Sequence, residues 1–252
     1  MFNNLLEINP SEEEKKIVAF FKKTFTEQNI KKAVIGVSGG IDSVTSLTLL
    51  SKAIPKENII AVHLPYSDEV DKDIIEVEKK LGIKIKVVSI KKPADVLFGE
   101  FDIDRNDKVR RGNIMARVRM IALYDLAKKN NALVVGTENR SEYHLGYFTR
   151  FGDEASDIEP IQHLYKTQLI ELAKYLGLPS SILEKKPSAN LWGGQTDEGE
   201  FGFSYKDADP VLYLYFDKKN PVWTIESMNP GAKKIIEFAE KNSFKHRVPY
   251  HL

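Results

Sequence analysis

The spacing of apolar and polar positions divides the first half of the chain into alternating strands and helices. Three short apolar runs, at 33–37, 59–64 and 85–90, have the composition of strands buried on both faces of a parallel sheet. Between them, residues 41–53 and 68–81 carry apolar side chains at helical spacing. The order β-α-β-α-β predicts a doubly wound parallel sheet, because helical crossovers join consecutive parallel strands.

A further helix is predicted before the first strand. Ser11, with Glu14 three residues later, has the form of a capping box, which satisfies free N–H groups at a helix start. Apolar residues then recur on one face of that helix, at Ile17, Val18, Phe21 and Phe25. The sheet is therefore expected to follow an amphipathic helix.

A long helical pattern at 106–131 leads into a fourth predicted strand at 132–137. The apolar stripe of this helix is wider than packing against one sheet requires. It comprises Val109, Ile114, Met115, Val118, Met120, Ile121, Ala122, Leu123, Tyr124 and Ala127. Two interpretations remain open: contact with a partner subunit, or burial between the sheet and the C-terminal segment.

Beyond the fourth strand the strand rhythm stops. Helical patterns occur at 165–177 and 230–242, and the segment between them, 185–209, is rich in Gly, Ser and Asp with aromatic residues. Such a segment is typical of a loop over a ligand. We therefore predict one domain, with an α/β core at about 30–165 and a C-terminal loop and helices at about 166–252.

Composition excludes several classes of protein. The 37 basic and 36 acidic residues give a net charge of +1, which does not indicate nucleic acid or an anionic membrane as a partner. No apolar run would span a bilayer and the start of the chain lacks a secretory pattern, so a cytoplasmic location is expected. The chain has no cysteine, which excludes disulfides, Cys-ligated metals and a thiol nucleophile.

The segment GVSGGIDS, residues 36–43, joins the first predicted strand to a helix. Its glycines let the backbone approach a ligand, and the junction directs free N–H groups and the helix dipole at an anion. Ser38 and Ser43 add hydroxyl donors, whereas Asp42 would repel a phosphate unless a cation such as Mg²⁺ lay between them. The lysine of the common P-loop is absent. We therefore expect chemistry at the α-phosphate of ATP, with pyrophosphate as the leaving group.

This octet resembles the PP-loop of the N-type ATP pyrophosphatases. Three further blocks, at 110–120, 136–169 and 186–205, resemble the ammonia-dependent NAD⁺ synthetases in particular. That resemblance implies a doubly wound parallel sheet of about five strands with helices on both faces, like that of the adenine nucleotide alpha hydrolases, and a mostly helical C-terminal extension. It also implies that ATP adenylates deamido-NAD (nicotinic acid adenine dinucleotide), and that ammonia displaces AMP to form NAD⁺.

The resemblance assigns roles to residues of this chain. Asp42 and Glu142 would bind Mg²⁺, and Asp42 and Lys166 would be catalytic. Asp153 is a further catalytic candidate on chemical grounds, because an acidic group would help to capture and deprotonate ammonium. ATP would contact Gly36, Val37, Ser38, Gly39, Gly40, Ile41, Asp42, Ser43, His63, Thr137, Lys166 and Ser188.

Deamido-NAD would contact a second set of residues, and the family is typically a homodimer with this substrate near the subunit interface. That set is Arg117, Phe148, Arg150, Asp157, Lys245 and His246. Two positions depart from the family pattern. Arg150 stands where a lysine is expected, and the order of Lys245 and His246 differs from the family's cluster.

Structural interpretations of the same residues remain open from the sequence alone. They are a plain glycine turn for the loop, a solvated helix residue for Glu142, a strand-end threonine for Thr137, turn residues for Asp153 and Asp157, core packing for Phe148, and a structural histidine for His63.

Two other functions also compete. A PP-loop ligase acting on tRNA should carry a basic surface, which the net charge of +1 does not indicate. A nucleotide-binding sensor would need neither the second metal carboxylate nor the dinucleotide residues.

Overall fold

The computed structural model describes residues 5–67, 71–188 and 191–251. Its centre is a parallel sheet whose strand order is β3-β2-β1-β4. The strands are β1 (Lys32–Gly36), β2 (Ile59–His63), β3 (Ile85–Val87) and β4 (Ala132–Val135). All three strand pairs are parallel, which confirms the predicted doubly wound sheet.

The expected number of about five strands is wrong by one for the described residues. The position beside β4 holds a single bridge between Val135 and Ile158, where the Gly136 N–H donates to the Ile158 carbonyl over 2.8 Å. The side chain of Asp157 accepts the Val134 N–H at 2.7 Å, and Pro160 lacks an N–H altogether. The Asp157 side chain thus takes the place of a backbone acceptor, and Pro160 cannot donate a backbone hydrogen bond, so no fifth strand forms.

Twelve α-helices occur in the described part of the chain. They are α1 (Pro10–Glu27), α2 (Ile41–Ala53), α3 (Lys72–Leu81), α4 (Lys91–Glu100), α5 (Lys108–Asn130), α6 (Arg140–Leu145), α7 (Lys166–Tyr175), α8 (Ser180–Leu183), α9 (Asp197–Phe201), α10 (Tyr205–Leu212), α11 (Val222–Met228) and α12 (Ala232–Asn242). Residues 68–70, which were expected to begin α3, lie outside the described residues.

The start of α1 differs from the predicted capping box. Asn9, rather than Ser11, is the N-cap, and its side chain accepts the N–H groups of Ser11 and Glu12. Pro10 occupies the first helical position, where its missing N–H costs nothing. The helix therefore begins before Ser11.

The sheet is covered on both faces because side chains alternate along each strand. In β1, Ala33 and Ile35 face a core shared with α1, α2 and α7, whereas Val34 faces α5. On α5, Val109 and Ile121 remain 64% and 60% exposed, so the C-terminal segment does not cover these two residues.

The C-terminal part forms a second apolar core around α6, α10 and α12. The expected loop at 185–209 is shorter than predicted, because α9 and the start of α10 lie within it. Its aromatic residues Phe201 and Tyr205 are buried, and their ring centroids lie 5.6 Å apart. Among the described residues, no helix is long and apolar enough to cross a membrane.

Candidate active site

The loop between β1 and α2 has the open backbone that an anion site needs. Gly39 has a φ of +77°, a conformation that favours glycine. The hydroxyls of Ser38 and Ser43 lie 3.1 Å apart, and Ser43 Oγ also accepts the Ser38 N–H at 3.1 Å. Gly40 caps α2 without any side-chain hydrogen bond. The first N–H groups of α2 therefore have no competing side-chain acceptor at the cap, and can bind a phosphate.

Three of the predicted site residues meet beside this loop. The Lys166 Nζ lies 2.9 Å and 2.7 Å from the two carboxylate oxygens of Asp42, and 3.4 Å from Glu142 Oε1. Asn139 donates its side-chain N–H to Asp42 Oδ1 at 2.8 Å. The fold thus brings the carboxylates of Asp42 and Glu142, from two separate helices, to the ammonium group of Lys166.

Tertiary contacts hold this group in place. Asn139 caps α6, and it forms a capping box with Glu142, which sets the direction of the glutamate. The Lys166 N–H donates to Ser141 Oγ at 2.8 Å, which joins the start of α7 to α6. Lys166 is 1% exposed, so its ammonium group lies inside the protein.

Carboxyl groups outnumber the single lysine in this group. Burial opposes the charge of Lys166, but Asp42 and Glu142 outweigh it and raise the lysine pKa above its usual value. Burial, and then the charge of Asp42, raise the pKa of Glu142 well above its usual range. Asp197 adds a third carboxyl group whose charge acts on Lys166. Three acidic groups therefore surround one lysine, an arrangement that favours a further cation.

Asp197 and Asn139 are site residues that sequence reasoning missed. Asp197 is 3% exposed, its Oδ2 accepts the Tyr205 hydroxyl at 3.0 Å, and its Oδ1 has no hydrogen-bond partner among the described residues. Asn139 lies in the short connection between β4 and α6, at the carboxyl end of the strand, a signal that could have identified it. Asp197 has no such signal, because it lies in a short helix distant in sequence.

The remaining predicted ATP residues lie around the same strand ends. The His63 Nδ1 is 2.7 Å from the Val37 carbonyl, so its ring contacts the backbone of the phosphate loop, and its role towards ATP stays a prediction. Thr137 is partly exposed just beyond β4. Lys185, three residues before the partly exposed Ser188, lies 3.4 Å from the Gly39 carbonyl and 2.7 Å from Asp73 Oδ2.

Four of the predicted deamido-NAD residues also come together. The Lys245 Nζ donates to the carbonyls of Gly146 and Phe148 at 2.6 Å and 2.9 Å. The His246 ring centroid is 5.5 Å from that of Phe148. The Arg150 guanidinium lies 5.1 Å from the Phe244 ring, beside the same turn.

The other two predicted deamido-NAD residues, Arg117 and Asp157, lie elsewhere, and so does the catalytic candidate Asp153. Arg117 is exposed on α5, and Asp157 accepts the Val134 N–H at the sheet edge. Asp153 is exposed, and its Oδ1 accepts the Thr149 N–H at 3.0 Å, so it is not hydrogen-bonded to the Lys166 group. The predicted catalytic set is therefore brought together for Asp42 and Lys166, whereas the role of Asp153 stays a prediction.

Comparison with known proteins adds an independent observation. The profile of the NAD synthase family matches residues 13–249. The NH(3)-dependent NAD(+) synthetase of Thermoplasma acidophilum is 43% identical over 96% of this chain and 97% of its own length. Two solved structures share the fold: an NMN synthetase from Francisella tularensis (TM-score 0.84, 32% identity, 98% of this chain and 99% of that one) and an NH3-dependent NAD synthetase from Campylobacter jejuni (TM-score 0.82, 28% identity, 97% and 100%).

Proposed function

Because the chain belongs to the NAD synthase family, we propose that it uses ATP and ammonia to amidate deamido-NAD to NAD⁺. One observation carries the proposal: Asp42 and Glu142 reach the same buried ammonium group of Lys166, beside a loop that is open to phosphate. A plain glycine turn would need neither the second carboxylate nor the buried lysine. The arrangement suits the transfer of an adenylate group from ATP.

The first half of the reaction follows from the charges at this loop. The N–H groups at the start of α2, with the hydroxyls of Ser38 and Ser43, bind the pyrophosphate part of ATP. The nicotinate carboxylate attacks the α-phosphorus, and pyrophosphate leaves. Lys166 is held in its charged form, so it stabilises negative charge that develops on the leaving group.

The acidic residues of the site fit a magnesium ion. Asp42 and Glu142 both approach Lys166 Nζ, so one cation can reach both, and carboxylate oxygens are the donors that Mg²⁺ prefers. Mg²⁺ is usually bound through one or two carboxylates and keeps waters and phosphate oxygens as its other ligands, so this pair of carboxylates suits it. When bound, Mg²⁺ would neutralise charge on the phosphates.

The second substrate would lie against the turn that contains Phe148. Its ring offers a flat surface for the nicotinate ring. Lys245 and His246 lie beside that ring and Arg150 lies over the Phe244 ring, so all three are available to bind the phosphates of deamido-NAD. Arg150 keeps the positive charge expected at its position. Its guanidinium has a planar donor arrangement that suits a phosphate.

Arg117 and Asp157 would complete the dinucleotide site from the α5 side and the sheet edge. The exposed apolar residues Val109 and Ile121 lie on the same helix as Arg117. We propose that α5 forms the interface of a homodimer that brings Arg117 to the partner's substrate. We also propose a cytoplasmic location, where ATP is available.

The test is incubation of the purified chain with ATP, Mg²⁺, ammonium and deamido-NAD, with ATP followed by phosphorus NMR and NAD⁺ quantified. The expected products are NAD⁺, AMP and pyrophosphate in equal amounts. A parallel reaction with nicotinate mononucleotide measures its use as an acceptor, since one structural relative is described as an NMN synthetase. Accumulation of ADP and orthophosphate would refute the mechanism, and ATP binding without turnover would favour a nucleotide sensor.

A further inference from the structure

Two glutamates lie beside the end of β4, outside the Lys166 group. Glu159 Oε2 accepts the backbone N–H of Glu138 at 3.1 Å, and its Oε1 accepts the Ser156 hydroxyl at 2.8 Å. The Glu159 carboxylate packs over Gly136, where an added Cβ would lie only 1.8 Å from Oε1. Glycine at 136 thus makes room for a carboxylate in the sheet edge.

One oxygen of this pair lacks a donor. Glu138 is 6% exposed, and its Oε2 accepts the Gln162 side-chain N–H at 2.7 Å. Its Oε1 is buried and has no hydrogen-bond partner within the part of the chain that the structure describes. A buried acceptor without a donor is costly, so such an atom indicates a ligand that supplies one.

The surroundings of that oxygen are acidic. Burial, and then the neighbouring carboxyl groups of Glu159, Asp153 and Glu154, raise the pKa of Glu138 to about 8, against the hydrogen bond from Gln162. Burial likewise raises the pKa of Glu159 to about 8, with the charges of Glu142 and Glu154 adding to it. A small cation at Glu138 Oε1 would offset the acidic surroundings of that oxygen.

The pair also adjoins the Lys166 group, because Glu138 directly precedes Asn139, whose side-chain N–H donates to Asp42 Oδ1 at 2.8 Å. The charge of Glu142, from the Lys166 group, acts on Glu159. The charge of Glu138 acts on Lys245, whose Nζ donates to the Phe148 carbonyl at 2.9 Å. Glu138 is thus connected to the phosphate end of the proposed site through Asn139, and its charge also acts on Lys245 at the Phe148 turn.

We propose that Glu138 and Glu159 form the site that binds ammonium, the nitrogen co-substrate, with Glu138 Oε1 accepting one of its N–H bonds. This inference rests on the proposed function. Ammonium has four N–H donors and a single charge, which suits two carboxylates and an acceptor without a donor.

Glu138 would also take a proton from the bound ion. An N–H bond of ammonium breaks, the proton passes to Glu138, and the electron pair stays on nitrogen. Ammonia then forms a C–N bond to the carbonyl carbon of the nicotinyl adenylate, and the C–O bond to AMP breaks with its electron pair leaving on AMP. The second excess proton on nitrogen passes to Glu159 or water. A carboxylate whose pKa lies near the working pH is suited to accepting this proton.

The experiment replaces each glutamate with its uncharged isostere, in Glu138→Gln and Glu159→Gln, with Glu171→Gln on the exposed side of α7 as the matched control. The KM values for ammonium, ATP and deamido-NAD are measured separately. Hydroxylamine is then used in place of ammonium, because it is a nucleophile that is largely uncharged at neutral pH and needs no carboxylate to capture it.

The expected result is a KM for ammonium raised by about tenfold or more in both variants, the size of a lost hydrogen bond to a charged group. The KM values for ATP and deamido-NAD, and turnover with hydroxylamine, should stay within about twofold of wild type, because neither nucleotide nor the uncharged nucleophile depends on these two carboxylates. Equal losses with ammonium and hydroxylamine, or an unchanged KM for ammonium, would overturn the site. A wild-type chain that makes no NAD⁺ would instead overturn the proposed function, and this inference with it.

Discussion

Lys166 and Asp42 form a buried ion pair in which Nζ lies 2.9 Å and 2.7 Å from the two carboxylate oxygens. The two residues are 124 positions apart in the chain and come from the starts of α7 and α2. Because Glu142 and Asp197 add further acidic charge, the lysine neutralises only part of the group. These carboxyl groups therefore favour the binding of a second cation together with the phosphates of ATP.

Lys166→Met should make the stability of the chain depend on Mg²⁺. Removing one partner of a buried ion pair costs about 3–5 kcal/mol, because the carboxylates lose their compensating charge. We expect a lower Tm in the absence of metal, and a larger increase of Tm on adding Mg²⁺ than in wild type. Thermal denaturation with and without Mg²⁺ measures both. Lys174→Met, on the exposed side of α7, is the control. An Mg²⁺ response no larger than that of the control would contradict a metal site at Asp42 and Glu142.

Asp42→Asn and Glu142→Gln should each lower turnover by about a hundredfold or more while the chain still folds, since ~1.4 kcal/mol of barrier is tenfold in rate. The physical reason is that the metal would no longer be held where charge develops on pyrophosphate. Steady-state NAD⁺ formation at saturating Mg²⁺ measures the effect, with the exposed Asp125→Asn as the control. Near-normal turnover of either variant would exclude that residue as a metal ligand.

Arg117→Ala should weaken binding of deamido-NAD about tenfold, as loss of one charge-assisted contact would, and leave ATP binding unchanged. Arg117 is exposed on α5, distant in sequence from the phosphate loop. Isothermal titration with each nucleotide measures the difference, and Arg110→Ala on the same helix is the control. If the site is completed across a dimer, activity of the wild-type chain should also fall on dilution. An equal loss of affinity for both nucleotides would refute the assignment.

Ammonium, but not glutamine, should support NAD⁺ formation by this chain alone. Releasing ammonia from glutamine requires a strong nucleophile such as a thiolate, because a carboxamide is a poor electrophile. The chain contains no cysteine. The measurement compares NAD⁺ formed from ammonium chloride and from ammonia-free glutamine. Comparable rates from the two donors would contradict the prediction, once a co-purified amidase is excluded by mass spectrometry.

The buried Glu138 should make the chain less stable as the pH rises. Burial raises the pKa of its carboxyl from 4.5 to about 8, so the folded state binds this proton more tightly than the unfolded state. Its contribution to stability is therefore fully present below pH 4.5 and is lost as the pH rises through about 8. Relative to wild type, Glu138→Gln should gain on the order of a few kcal/mol between these two values.

Urea unfolding in ammonium-free buffer at several pH values between these limits measures that change. Glu171→Gln should follow the wild-type curve, because its side chain is exposed in the folded chain. A difference between wild type and Glu138→Gln that is independent of pH would show that the carboxyl titrates at its ordinary pKa.

Some of the site could be predicted because its residues follow local signals. Asp42 lies in a distinctive loop, and Glu142 and Lys166 each lie within a block that resembles one family. Asn139 has a weaker signal, its position just after β4, whereas Asp197 has none and only its hydrogen bond to Tyr205 identifies it. The segment at 185–209 was predicted as a loop from its composition, yet Phe201 and Tyr205 pack into the C-terminal core and fold it locally. Tertiary burial outweighed local propensity there.

By itself, the sequence determined the alternation of strands and helices and the phosphate loop, because hydrophobic period and the conformational freedom of glycine are local properties. Only the tertiary structure decided which acidic groups share Lys166, and that Glu138 and Glu159 meet 21 residues apart. The tertiary structure also decided that only a single bridge forms beside β4, because the Asp157 side chain accepts the Val134 N–H. These outcomes depend on how crossovers pack distant segments together. The ammonium site is inferred from the burial of Glu138, which raises the pKa of its carboxyl group and leaves one of its oxygens without a hydrogen-bond donor. That burial follows from the packing and not from the type of residue.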